Sequence, residues 1–337
     1  MTDLDLDLVV MTRDHETVDT VAERAQQAEQ RDFSYVTMGE TTGWNVLPVL
    51  TVVAERTEDI GITDDVLSPY ARAPTLYGQS ALTMHDVTEG HFRLGLGTSS
   101  PAIAERWHAG SFDRPLRRLR ETIDVVHEVY EGGEVTYDGE IFDLGGLSYE
   151  GSVPESPPPV DVAALGPKAV ELAGRFADGW VPQLFTREAL ADRMDDLRRG
   201  ADLGDRDPAD LRVSPLVRCF ASEDAETARS TVRQMVAFLV GAYGPFYGDS
   251  LAEQGYPDVV AEIREAWEDR DTAAMAAALP DELLDAVAAA GTPEAVRDRV
   301  EQFGAVEGVS AVRVGFVSGM TDEQKRATMD ALEPLTD

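Results

Sequence analysis

At 337 residues and 43% hydrophobic content, the chain can bury one large core or two small ones. It carries 63 acidic against 29 basic residues, a net charge of −34 spread along its whole length. That balance argues against nucleic acid and anionic membranes as partners, since both need basic patches, and no apolar run approaches the roughly 18 residues of a membrane-spanning helix.

Strand-like and helix-like segments then alternate. Leu4 to Met11 is predicted as strand one, and His15 to Gln30 as a helix with Val18, Val21, Ala22, Ala25 and Ala28 on one side. Phe33 to Met38 is strand two, Asn45 to Arg56 a helix, Ile60 to Val66 strand three, and Ala71 to Thr88 a long helix behind Pro69 and Pro74. Phe92 to Leu96 is strand four and Pro115 to Tyr130 its helix. Gly132 to Pro159, rich in Gly and Pro, breaks the pattern and holds a hairpin around Asp138-Gly139. Val160 to Leu165 resumes as strand five, Pro167 to Phe176 is a helix, Gly179 to Pro182 a short strand six, and Arg187 to Ala201 a helix. Leu211 to Ala221 is strand seven, followed by a helix to about Val240. Gly241 to Pro257 is irregular and leads into small helices up to Ala290. Thr292 to Phe303 is a helix with Pro293 near its start, Val309 to Phe316 is strand eight, and Thr321 to Leu332 is the last helix.

Eight strands alternating with eight helices predict an α/β fold, a (β/α)8 TIM barrel in one domain over 1–337. Insertions follow strands four and seven, at about 132–159 and 241–290. A doubly wound sheet is the alternative, but the even count and single-domain length favour the barrel. Its active site would lie at the C-terminal ends of the strands.

The evenly acidic surface predicts adaptation to molar salt, which screens charge within about 3 Å at 1 M. The single Cys219 excludes an internal disulfide and a cysteine-based zinc knuckle. Met1 to Asp7 lacks the basic start and apolar run of a signal peptide, so a cytoplasmic location is expected.

Four strand ends are candidates for chemistry. Leu165-Gly166-Pro167-Lys168 leaves a strand and opens a helix, whose free amides attract an anion. Gly166 permits close approach, Pro167 suits the first turn, and Lys168 is one of only two lysines, the other being Lys325. This favours a phosphate site over an ordinary turn. Leu94-Gly-Leu-Gly-Thr-Ser-Ser100 reads either as a tight turn with Gly95 packed inside the barrel or as a loop whose backbone lines a cofactor. It lacks the third glycine of the dinucleotide fingerprint. Met38-Gly-Glu-Thr-Thr-Gly-Trp-Asn45 places Glu40 at a strand end and Trp44 where it can stack on a planar ring. In so acidic a chain a loop Glu is expected by chance, and Asn45 also suits a helix cap. Asp64-Asp65 after strand three is either half of a metal site or a solvated turn, and no third ligand stands at a telling spacing. The five histidines form neither HxH nor HExxH, and no GxSxG is present, so neither a zinc hydrolase nor an α/β-hydrolase is expected.

Taken together, Glu40-Thr-Thr-Gly-Trp-Asn45, Phe92-Arg-Leu-Gly-Leu-Gly-Thr-Ser-Ser-Pro101 with Glu105-Arg-Trp-His108, Gly166-Pro-Lys168 with Leu172-Ala-Gly174 and Ala177-Asp-Gly-Trp180, and Pro280-Asp-Glu-Leu-Leu-Asp285 before Gly291-Thr-Pro293 resemble the luciferase-like monooxygenase superfamily. The likeness is strongest to its branch that uses the deazaflavin coenzyme F420, and it runs over nearly the whole chain. The resemblance implies a homodimer or higher homo-oligomer acting on a small molecule. It also implies a deazaflavin ring across the strand ends, touching Asp65, Val66, Gly97, Thr98 and Ser99, with its phosphate at Gly166, Pro167 and Lys168. It implies a non-proline cis peptide at Asp65-Val66, a proton-handling role for Glu40, and Trp44 and Asn45 facing the substrate. The chain is similar to methylene-tetrahydromethanopterin reductases, but Val9 and Leu165 stand where those carry Glu and Gln. Thr41 and Ser100 stand where sugar-phosphate dehydrogenases of the branch carry His and Glu, which speaks against that reaction. An F420-dependent oxidoreductase is therefore expected, with an FMN-dependent monooxygenase or a non-catalytic flavin-binding barrel as alternatives.

Overall fold

The computed structural model describes residues 4–10 and 16–336. The chain begins with β1 (Asp5–Val9), α1 (Val18–Glu29), β2 (Tyr35–Met38), α2 (Val46–Ala54), β3 (Gly61–Asp64), α3 (Pro74–Val87), β4 (Phe92–Gly97) and α4 (Pro115–Glu131). A hairpin of β5 (Gly133–Asp138) and β6 (Asp143–Tyr149) follows. Next come β7 (Val160–Ala163), α5 (Pro167–Phe176), β8 (Gly179–Val181), α6 (Arg187–Leu203), β9 (Arg212–Val213), β10 (Leu216–Ala221) and α7 (Ala225–Gly241). Four further helices, α8 (Pro245–Glu253), α9 (Pro257–Glu268), α10 (Thr272–Ala277) and α11 (Asp281–Val287), precede β11 (Ala288–Gly291). The described chain closes with α12 (Pro293–Gly304), β12 (Ala311–Gly315) and α13 (Asp322–Leu332). The expected strand and helix ends at Met11 and His15 lie outside the described residues.

Ten parallel strands form one curled sheet in the order β11-β10-β12-β1-β2-β3-β4-β7-β8-β9. Its curl follows from connectivity, because β9 at one end and β10 near the other are joined by Ser214 and Pro215 alone. Across that join, Ser214 N–H donates to the Trp180 carbonyl at 3.0 Å and Arg313 N–H to the Pro215 carbonyl at 2.9 Å. The apolar strand faces pack under the helices, with Leu6, Leu8, Val36, Ile62, Leu94 and Val162 almost wholly buried. Thr17, Thr186, Thr292 and Thr321 cap α1, α6, α12 and α13 by accepting an early backbone N–H, which fixes where the helices start.

The sheet interior is polar, and several of its charges are paired with one another. Arg313 of β12 is fully buried and donates to Asp161 of β7 at 3.2 Å, so these side chains meet across the curl of the sheet. Arg93 grips Asp161 through two bonds of 3.0 and 2.6 Å, and Arg212 grips Asp7 through two of 2.8 Å. Burial would raise the Asp161 carboxyl, but the Arg93 guanidinium beside it holds it below the ordinary value.

Several sequence expectations are corrected. The predicted strand Leu211–Ala221 is two strands, because Pro215 brings no N–H to the ladder and the chain changes neighbours there. Ala288-Ala-Ala-Gly291, expected as the end of a helical stretch, is a buried parallel strand beside β10. Its alanines favour helix intrinsically, and the exposed sheet edge overrides them. A five-residue π-helical turn, Ile103–Trp107, was not anticipated. Asp64 and Asp65 are not a solvated turn: Asp64 is fully buried and Asp65 faces Arg313 at 3.3 Å.

Candidate active site

A cavity of about 880 Å³ opens at the C-terminal ends of the strands, a size suited to a cofactor with a substrate beside it. One wall is backbone. The Asp65-Val66 peptide is cis, and it follows β3 directly, where Asp64 ties the turn down. The Asp64 carboxyl accepts the Gly95 N–H and the Leu67 N–H, each at 3.1 Å. Burial pushes this carboxyl up to about 8, against the pull of those two donors.

The glycines of β4 are explained by the same turn. A Cβ at Gly95 would stand 2.4 Å from the Asp64 carbonyl oxygen, and one at Gly97 would stand 2.6 Å from Val66 Cγ2. Gly95 is thus a packing residue, whereas Gly97, Thr98 and Ser99 line the cavity with Asp65 and Val66. Ser99 has φ 61°, a left-handed backbone uncommon outside glycine.

Glu40 also lines the cavity, but its carboxylate is engaged. Arg72 donates to both oxygens at 2.6 and 2.7 Å, and the Val46 N–H donates at 3.1 Å. The pair is about one-tenth exposed on each side. Arg72 also donates to Asn45 Oδ1 at 2.8 Å, and the same oxygen caps α2 through the Leu47 N–H at 3.3 Å. Asn45 therefore serves the helix start and does not reach the cavity wall, and Trp44, 38% exposed, does not reach it either.

Gly166 lines the cavity, with open space where a Cβ would lie, while Pro167 and Lys168 are exposed beyond it. At this helix start Pro167 has no N–H, and the Ala169 N–H is taken by the Gly166 carbonyl at 3.0 Å. The Lys168 amide is the donor that neither restriction removes. Val9, Leu165, Thr41 and Ser100, the positions that separate the sequence from two reductase and dehydrogenase patterns, all lie in the wall. The structure thus gathers Glu40, Asp65, Val66, Gly97, Thr98, Ser99 and Gly166 around one space and leaves Trp44, Asn45, Pro167 and Lys168 outside its wall.

Sequence reasoning missed the opposite wall, built by the segment after β8, by β10, and by α7, α8 and the turn between them: Gln183, Arg218, Met235, Tyr243 and Tyr247. One signal was readable, namely an arginine in the middle of the apolar run Leu216-Val-Arg-Cys-Phe-Ala221. Aromatic rings mark the mouth, where Phe112 lies 5.7 Å from Tyr70 and 6.0 Å from Phe246 between ring centres. Among the described residues no group of three or more His, Cys, Asp or Glu is placed to hold a metal ion, and no helix is long and apolar enough to cross a membrane.

The chain is 27% identical over 295 residues to a 5,10-methylenetetrahydromethanopterin reductase of Archaeoglobus fulgidus, covering 87% of this chain and 88% of the relative. The coenzyme F420-dependent tetrahydromethanopterin reductase of Methanopyrus kandleri superposes with a TM-score of 0.81 at 20% identity, covering 98% of both chains. An F420-dependent secondary alcohol dehydrogenase holding an F420-acetone adduct superposes with a TM-score of 0.82 at 16% identity over the full length of both. The two structural likenesses establish the fold, which is that of the luciferase-like TIM barrels. A model of the luciferase-like monooxygenase family matches residues 5–309, and the chain belongs to that family.

Proposed function

We propose that this protein is an F420-dependent oxidoreductase that moves a hydride between the deazaflavin and a small organic substrate. The observation that carries the reading is the cavity wall made of Asp65-Val66 backed by Gly95 and Gly97, a closely packed backbone surface at the strand ends. The two solved structures described above, both F420-dependent enzymes, support F420 as the cofactor. When bound, F420 supplies the carbon that gives or takes the hydride, and the protein supplies position and a dry, shaped site.

In this reading Asp65, Val66, Gly97, Thr98 and Ser99 support the ring, while Gly166 and the Lys168 amide and ammonium meet the phosphate. Arg313 holds Asp65 in place. Glu40 orders the loop after β2 through Arg72, and of its two oxygens Oε1, which accepts only from Arg72, keeps a lone pair for a proton. A methylene-tetrahydropterin or tetrahydrofolate is the first substrate to try, and the protein works as a homo-oligomer in a salt-rich cytoplasm.

The test is a fluorescence titration of the purified protein with F420 and with FMN in molar KCl, then a substrate screen that follows the visible absorbance of the deazaflavin. Tight F420 binding with substrate-dependent bleaching or recovery supports the proposal. A preference for FMN with oxygen consumption overturns it in favour of a monooxygenase, and F420 binding with no redox change across the screen reduces the protein to a binding barrel.

A further inference from the structure

Arg218 lies between the buried Val217 and Cys219 on β10. A guanidinium set into an apolar strand needs a carboxylate or a ligand. The other arginines of the central strands have carboxylates: Arg93 meets Asp161, Arg212 meets Asp7, and Arg313 meets Asp65 and Asp161. Among the described residues no ion pair within 4.0 Å joins Arg218 to a carboxylate; the carboxylate whose charge reaches it is Asp65, which Arg313 already holds at 3.3 Å. Its Nη1 donates to the Phe316 carbonyl at 3.2 Å, and its Nε is buried with no hydrogen-bond partner. Burial accordingly holds its pKa below the ordinary arginine value.

The fold makes room for this unpaired cation. Arg218 is in register with Gly315 on β12. A Cβ at Gly315 would lie 3.0 Å from Arg218 Nη1, so glycine leaves the guanidinium its place. A second donor stands nearby. Gln183 bridges to Leu216, which lies two residues before Arg218 and therefore on the same face of β10. The Tyr247 hydroxyl donates to Gln183 Oε1 at 2.8 Å, which fixes the amide and leaves Nε2 as a buried donor without a partner. Both residues line the cavity, Gln183 just past β8, the neighbour of β7, and Arg218 on β10, which meets the chain after β8 at the Gln183–Leu216 bridge. Around them the wall is apolar and aromatic, with Met235, Phe238, Tyr243, Phe246 and Phe316.

We propose that Arg218 and Gln183 form an oxyanion subsite that takes the carboxylate of the substrate, whose apolar body lies against the aromatic residues of α7 and α8. The guanidinium presents several donors in a fixed plane and the amide adds another, which suits a planar two-oxygen anion. This rests on the hydride-transfer reading of the cavity and adds the substrate class to it.

The test measures binding of benzoate, methyl benzoate and inorganic phosphate by NMR titration to the full chain, with and without F420. It is run on the parent protein and on Arg218→Met, Arg218→Lys and Gln183→Leu. Benzoate is expected to bind at least tenfold more tightly than its methyl ester. Arg218→Met should abolish that preference, Arg218→Lys keep part of it, and Gln183→Leu reduce it several-fold, with F420 affinity within twofold of the parent. Equal binding of acid and ester by the parent overturns the proposal. So does phosphate outcompeting benzoate, or a loss of F420 affinity in Arg218→Met as large as the loss for benzoate, because either assigns Arg218 to a phosphate. If F420 fails to bind while the Arg218-dependent preference persists, the cofactor reading falls and the subsite stands. Should Arg218→Met not fold, Arg218→Lys and Gln183→Leu carry the same comparison.

Discussion

Gly97→Ala is a direct probe of the cavity's backbone wall, because the atoms it would meet are known. Its new Cβ would stand 2.6 Å from Val66 Cγ2 and 3.3 Å from the Ala163 Cβ. Carbon atoms pack best at about 3.5–4.0 Å, so Val66 or β4 must yield by about 1 Å. Valine is β-branched and stiff at χ1, so it has no easy escape. Overpacking of this kind costs about 1–3 kcal/mol. Gly95→Ala is worse, since its nearest neighbour at 2.4 Å is the Asp64 carbonyl oxygen, a backbone atom that cannot swing away. The two sites separate in a double-mutant cycle with Val66→Ala, which removes both Cγ atoms. In that background the penalty of Gly97→Ala should shrink by about 1 kcal/mol or more, whereas most of the Gly95→Ala penalty should remain. Urea unfolding in constant molar KCl measures all the terms. If Gly97→Ala is as stable as the parent, or if Val66→Ala relieves Gly95 and Gly97 equally, the account of why β4 carries these glycines is wrong.

Three other outcomes are expected. Lys168 is exposed, so Lys168→Ala should leave the urea midpoint unchanged while weakening F420 binding about 5- to 30-fold, the loss of one charge-assisted hydrogen bond of about 1–2 kcal/mol; unchanged affinity would remove it from the phosphate site. The Asp64 carboxyl has a folded value of about 8 against 3.8 unfolded, so its contribution to stability is complete below about pH 4 and is lost as pH rises towards 8. Relative to Asp64→Asn, the parent should lose stability with a slope of up to about 1.4 kcal/mol per pH unit between those limits, and parallel curves would refute the neutral buried acid. Finally, with a net charge of −34 the melting temperature should climb as KCl rises from 0.1 to 1 M and the screening length falls from about 10 to 3 Å; a flat profile would end the reading of the surface as salt-adapted.

The alternation of strands and helices was legible because each apolar run is short, bounded by Gly, Pro or Asp, and followed by a helical period. What failed was decided by neighbours and not by local pattern. Ala288-Ala-Ala-Gly291 becomes a strand because β10 offers an edge, and nothing within four residues announces that. Gly97, Thr98, Ser99, Asp65, Val66 and Gly166 line one cavity because they occupy strand ends, which a curled parallel sheet gathers into one place, and strand ends are legible in the sequence. Trp44 and Asn45 sit one helix start further on, and the Arg72 bridge to Glu40 and Asn45 turns that loop into a structural clasp, a contact across some 30 positions that sequence spacing does not reveal.

The charges inside the strands carry a lesson of their own. Asp7, Arg93, Asp161, Arg212 and Arg313 each stand between two apolar neighbours, and read singly each could pass for a functional residue. The structure pairs them with one another, so their charges are spent on holding the curl of the sheet. Pairing is thus what separates a structural charge from a chemical one here. By that criterion Arg218, with Gly315 cut away beside it and Nε unmatched, is the strand charge left over for a ligand. It faces the same space as the backbone wall at Asp65-Val66. A substrate with a carboxylate would give Arg218 the partner that, among the described residues, no carboxylate within 4.0 Å supplies, which is why the substrate's charge, and not its size, is the property to vary first.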